Sequence, residues 1–176
     1  HLLDQGIYSI SITSPHAASV AGAIDGWVMI LSDYGTIDLD QALQPAIDYA
    51  ANGYAITPRV AVDWNRNVAK LAANPSSAAK YLKDGRPPKA GEVWRLPELA
   101  ETLRTVAAKG REGFYQGWVA EDIVEFLVSL GGCHALDDFA EMHGEWVTPI
   151  STDYRGYTIY QIPPNGQGTV SYTHLP

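Results

Sequence analysis

Cys133, His134 and His143 are the side chains whose types best suit nucleophilic or metal chemistry. A thiolate next to an imidazole base can attack a carbonyl carbon, and a thiol with two imidazoles can hold a zinc ion. Their spacing fits neither. Structural zinc sites draw on at least two well-spaced pairs of ligands, and this chain contains a single cysteine. His134 follows Cys133 directly, so nothing in the sequence turns its ring toward the sulfur. Surface or packed roles are the simpler reading for all three. Asp137, Asp138 and Glu141 form a carboxylate cluster of the kind that could exchange protons in acid–base catalysis. They also open a short helical stretch, Leu136 to Met142, where negative charge is stabilised by the backbone dipole, and that role is the more economical. Glu121, Asp122 and Glu125 read as a solvated helix face for the same reason.

Asn165-Gly166-Gln167-Gly168 is the one glycine-rich loop that could turn backbone N–H groups toward an anion. It matches neither a phosphate loop nor a dinucleotide fingerprint, and a plain turn explains it equally. No residue of the chain stands out as catalytic, and no metal or organic cofactor is implied. Trp27, Trp64, Trp94, Trp118 and Trp146 are read as core anchors.

Charge narrows the classes further. The 176 residues carry a net charge of −8. An acidic surface repels phosphate backbones, so the charge disfavours nucleic acid as a partner class. No apolar run approaches the roughly 20 residues needed to span a bilayer.

The elements that must position these residues are mostly helical. Leu96, Leu99, Ala100, Leu103, Val106 and Ala107 recur at helical spacing, with Pro97 suited to a first turn and Gly110 to a stop. Val119, Ile123, Phe126, Leu127 and Leu130 form a second stripe, ended by Gly131-Gly132. We expect these two helices to pack on each other through Leu99, Leu103, Val106, Ile123, Phe126 and Leu127, pinned by Phe114, Tyr115 and Trp118. Upstream, the alternation of Gly6 to Thr13 predicts a half-buried strand. Ala17 to Tyr34 predicts a helix. Asp38 and Gln41 predict a capped helix containing Pro45, and Thr57-Pro58 caps the next. Ser76 to Leu82 predicts a short helix, and Asp84 to Glu92 a surface connector. Trp146 to Ile150 and Gly156 to Ile162 predict strands joined through Tyr154-Arg155-Gly156. The expected class is α+β and helix-rich.

The stretch LPELAETLRTVAAKGREGFYQGWVAEDIVEFLVSLGG, followed by LDDFAEM, resembles the large-subunit region of the γ-glutamyltransferase (glutathione hydrolase) family of N-terminal-nucleophile hydrolases. SPHAASVAGAIDGW and LSDYGTIDLDQALQPAIDYAANGYAITPRVA are similar to family segments in the same order. Pro15-His16 stands where the family commonly has Pro-Gly, and Phe139 where it has Leu. The resemblance implies a partial αββα sandwich. It implies attack on a γ-glutamyl amide such as glutathione, with a γ-glutamyl-enzyme ester passed on to water or an amino acceptor. It implies a Thr nucleophile that begins a small subunit downstream of the matched span, and a carboxylate-gripping arginine upstream of it. Neither role transfers to a residue here, so the chain alone is expected to be inert, its partner being its own small subunit after autocleavage. Asn165 to Gly168 correspond to a loop near the family's substrate cleft, so these four residues are the candidates for a lining role. A related amide acylase and a non-catalytic helical module are the alternatives. Residues 1–168 are expected to be the incomplete large-subunit region, and residues 169–176, with no helical stripe where the family begins a helix, a tail foreign to it.

Overall fold

The chain divides into two compact units, residues 1–142 and 143–176. A computed structural model describes residues 2–4, 6–164 and 166. In the first unit, helix α1 (Ala23–Tyr34) leads to α2 (Leu39–Asn52), strand β1 (Tyr54–Ala55), α3 (Pro58–Arg66), α4 (Val68–Ala72) and α5 (Pro75–Tyr81). Strand β2 (Val93–Trp94), α6 (Pro97–Lys109), α7 (Glu112–Tyr115), α8 (Trp118–Ser129) and α9 (Leu136–Ala140) follow. Several starts are written locally. Thr57 and Asn74 accept hydrogen bonds from Val60 N and Ser77 N through their side chains, and Pro58, Pro75 and Pro97 each occupy a first turn. At α2 the expected cap is only half made. Asp38 is the N-cap residue but its side chain makes no cap hydrogen bond, while Asp40 Oδ1 accepts from Gln41 N at 2.7 Å.

The core is drawn from Ile24 of α1, Leu43 and Ile47 of α2, Val106 of α6, Tyr115 of α7, Ala120 of α8 and Phe139 of α9. The helix pair with the most extensive contact is α2 with α6, not α6 with α8 as the stripes predict. Leu99 and Leu103 turn toward Ala46, Tyr49 and Ala50 of α2. Leu99, Phe126 and Trp118 are all about half exposed, and α8 reaches the core through Ala120, Ile123 and Val124 instead. The stripes locate helices correctly, but a stripe does not say which neighbour it faces. Between α6 and α8 the chain makes the tight α7 turn. A Cβ at Gly113 would lie 2.5 Å from the Thr105 carbonyl oxygen, so only glycine lets α7 fold back this closely on α6.

Two further expectations change. Residues 6–13 are irregular chain with turns at either end rather than a strand, and Tyr8 is 84% exposed. Their alternation has no partner strand among the described residues to take up its backbone groups. The helix expected from Ala17 begins only at Ala23, after a 3₁₀ turn at Pro15–Ala17.

The connector from Asp84 to Glu92 is a built loop. Asp84 and Gly85 both have positive φ, and Lys83 and Arg86 exchange backbone hydrogen bonds of 2.9 and 3.0 Å. Arg86 then reaches both carboxylate oxygens of Glu92, at 3.0 and 3.2 Å. Below it, Trp94 packs edge-on against Trp64 with ring centroids 5.3 Å apart, and Trp64 Nε1 donates to the Tyr81 carbonyl at 3.0 Å.

In the second unit, β3 (Ile150–Tyr154) pairs antiparallel with β4 (Tyr157–Gln161). Arg155 (φ +48°) and Gly156 (φ +84°) form a two-residue turn that sets Tyr154 opposite Tyr157. That register moves the first strand from the expected Trp146–Ile150 to Ile150–Tyr154. Pro149, just before it, has no N–H to extend the ladder.

Two measurements test this packing. By denaturant unfolding, Ile47→Ala should cost about 2–5 kcal/mol, as a buried aliphatic does, and Leu99→Ala no more than about 1 kcal/mol. The Arg86 hydrogen bonds, helped by Lys89 N, hold the Glu92 carboxyl down to about 2. A group with a depressed folded pKa stabilises the loop above its unfolded pKa and loses that contribution as pH falls through the folded value. The Glu92 carboxyl resonance should therefore titrate near 2, and Arg86→Gln should return it toward the ordinary carboxylate range.

Candidate functional site

Charge and polarity come together inside the first unit at the corner formed by α7. The Tyr115 hydroxyl donates to the Ala21 carbonyl at 2.7 Å and accepts from Asp25 N at 3.2 Å. Those two groups are the acceptor and donor that an ordinary helical turn would join directly. Gly22, the N-cap of α1, has no side chain to cap with. Tyr115 supplies the cap from a distant element, and this is why α1 starts at Ala23. The Ala18 carbonyl is likewise taken by a tertiary partner, His134 Nε2, at 2.9 Å. Burial pushes the Tyr115 hydroxyl pKa up, so it remains a proton donor over the whole neutral range.

Arg111 closes the same corner. Its Nε lies 3.0 Å from Asp25 Oδ1, close enough for an ion pair but not aligned as a directed hydrogen bond. Both side chains are largely buried. Its Nη2 donates to the Ala140 carbonyl at 3.0 Å and to the Met142 carbonyl, closing the C-terminal end of α9. The guanidinium also lies 4.9 Å from the Tyr115 ring centroid. Arg111 is thus committed on several sides and is poorly placed to grip an external carboxylate.

The residues singled out by type fall elsewhere. Cys133 is exposed. His134 donates from Nε2 to the Ala18 carbonyl, and its Nδ1 is buried with no hydrogen-bond partner among the described residues. His143 is exposed and belongs to the second unit. Asp138 reaches back to Ala135 N at 2.8 Å, a helix-start role, and Asp137 and Glu141 are exposed beside it. Glu121, Asp122 and Glu125 are exposed along α8. No three His, Cys, Asp or Glu side chains converge as a metal-holding group among the described residues. No helix among them is long and apolar enough to cross a membrane. Of the loop Asn165 to Gly168, only Gly166 is described, and it sits against Ile162. Asn165, Gln167, Gly168 and the tail 169–176 lie outside the described residues. The sequence does not reveal the Asp25–Arg111–Tyr115 group, because Asp25 lies about 90 residues from the other two and nothing local joins it to them.

A helix-rich segment with an α2–α6 pair and a Gly-Arg-Glu-Gly corner has close counterparts. The family model described as Gamma-glutamyltranspeptidase matches residues 2–175, and the chain belongs to that family. A curated relative from Bacillus subtilis, the "Glutathione hydrolase-like YwrD proenzyme", is 41% identical over 152 residues, covering 86% of this chain and 29% of its own length. The crystal structure of Helicobacter pylori gamma-glutamyltranspeptidase superposes with a TM-score of 0.84 at 33% identity, covering 89% of this chain and 46% of that one. A cephalosporin acylase from Bacillus halodurans superposes with a TM-score of 0.78 at 38% identity, over 84% of this chain and 29% of that one. The chain therefore spans about three-tenths of the length of the curated relatives it matches.

If the corner holds the unit together as described, Arg111→Met alone should cost about 3–5 kcal/mol, because the buried Asp25 carboxylate loses the guanidinium beside it. Combining it with Asp25→Asn should recover a substantial part of that loss. Additive losses in the double variant, read by denaturant unfolding, would show that the two side chains do not act together.

Proposed function

We propose that this chain is a large-subunit segment of a self-cleaving precursor whose mature form attacks γ-glutamyl amides such as glutathione. The observation that carries the reading is the family match along nearly the whole chain, together with 41% identity to a relative named for glutathione hydrolysis. In this reading a Thr hydroxyl at the start of the small subunit adds to the γ-carbonyl carbon. The new N-terminal amine takes the hydroxyl proton and returns it to the departing amine. The γ-glutamyl ester then passes to water, giving glutamate, or to an amino acceptor, giving a new γ-glutamyl amide. No metal or organic cofactor takes part.

The residues described above do not enter these bond changes. Their part is to hold an outer helical layer in shape. We infer that the helices form one outer layer of an αββα sandwich and that β3–β4 joins one of its sheets. Among the described residues β3 is paired with β4 alone, and a two-stranded hairpin is only marginally stable by itself, which supports that reading. Residues 1–168 are the family region on this view, residues 169–176 a tail, and Asn165 to Gly168 remain candidates to line the cleft. A second reading, an acylase for other amides, is supported by the 38% identity to the cephalosporin acylase.

The test is chromophore release from a γ-glutamyl anilide. The full-length precursor is expected to split in two and turn the anilide over, while the 176-residue chain alone releases none. Turnover by the chain alone would overturn the assignment of the nucleophile to a region outside it. A precursor that leaves the anilide untouched but deacylates an acylated cephalosporin would favour the acylase reading. One that neither splits nor acts on either substrate would favour a non-catalytic module.

A further inference from the structure

Among the described residues, the first unit exposes apolar side chains on both sides of α2. Between α1 and α2 lies a groove of about 420 Å³ walled by Trp27, Ile30, Leu39 and Leu43. Between α2 and α6 lies a second, of about 470 Å³, walled by Tyr49, Tyr54, Leu96 and Leu99. Ala46 lines both, so the two grooves lie side by side along α2. Among the described residues, no Asp, Glu, Lys or Arg lines either one. Ile30 is 54% exposed and Leu99 45%, values typical of side chains that still lack half their neighbours. Uncharged aliphatic and aromatic side chains gathered in one concave strip mark a surface that something covers.

We propose that the occupant is an amphipathic segment of the same precursor, supplied by the part of the polypeptide outside this span. This rests on the reading of the chain as a precursor segment. The span accounts for only 29% of the length of the Bacillus subtilis relative, so most of such a protein is available to cover it. A segment tethered to the same chain also meets the face at a far higher effective concentration than a second molecule does. Grooves between packed helices suit the apolar stripe of another helix, which seats aliphatic side chains in the furrow and keeps its charges outside. A second copy of the chain is the competing occupant. It would have to self-associate at ordinary concentration to hide the same side chains.

Cysteine footprinting separates the two. In a Cys133→Ser background, Ile30→Cys and Leu99→Cys are labelled with a water-soluble maleimide, first in the 176-residue chain and then in the full-length precursor. Gln44→Cys, at an exposed position of α2, serves as the control. The expected result is labelling slowed by about tenfold or more at 30 and 99 in the precursor, with position 44 unchanged. Equal rates in the two forms overturn the proposal. So does slowing in the 176-residue chain that grows with protein concentration and accompanies a dimer mass in sedimentation, because the occupant is then a second copy. A precursor that shields positions 30 and 99 but never splits supports this inference and defeats the self-cleaving reading, so the two fail separately.

Discussion

The Tyr115 hydroxyl occupies the place where one turn of helix would close on itself, between the Ala21 carbonyl and the Asp25 amide. Much else in the first unit follows from it. It fixes where α1 begins, so it also fixes which side chains of α1 face α2. Arg111, one helical turn earlier in the chain, places its charge against Asp25 and its Nη2 on the end of α9. One short corner therefore terminates two helices that are remote from it in sequence. Buried backbone groups that lack intrahelical partners must find others, and here they find them on the same two side chains.

That corner exists because α7 can lie close to α6. Gly113 permits the approach, with no room for a Cβ against the Thr105 carbonyl. Tyr115 and Val106 then become the most deeply buried large side chains beside Ile56. The apolar core and the polar corner share Tyr115, whose ring packs in the core while its hydroxyl caps α1. Removing its hydrogen-bond partners would leave buried polar groups unsatisfied, and removing its ring would leave a cavity. Both are costly, and they fall on one residue.

The functional consequence is a division of labour. The charged residues that looked most like chemistry are solvated, capping or paired. The strongly buried charges, Asp25 and Arg111, serve architecture. What the segment offers outward is the apolar strip over α2 and the hairpin β3–β4. On the reading proposed above, both are surfaces that the rest of the precursor would meet.

Local signals determined a good deal. Helix positions from Leu39 onward, the proline starts, the Thr57 and Asn74 caps and the Arg155-Gly156 turn are set by residues within a few positions of one another, where spacing and φ preference act directly. The order of motifs also pointed to the family, because many weak matches in fixed sequence are jointly specific. Tertiary structure decided the rest. It chose α2 rather than α8 as the main neighbour of α6, since an apolar stripe carries no label for its partner. It denied residues 6–13 a strand, since alternation needs a second strand to pair with. It delayed α1 to Ala23 because His134 and Tyr115 claim the carbonyls of Ala18 and Ala21. The start of α1 depends on contacts across about 90 residues or more, and no local propensity encodes which distant hydroxyl or ring nitrogen will reach a given carbonyl first.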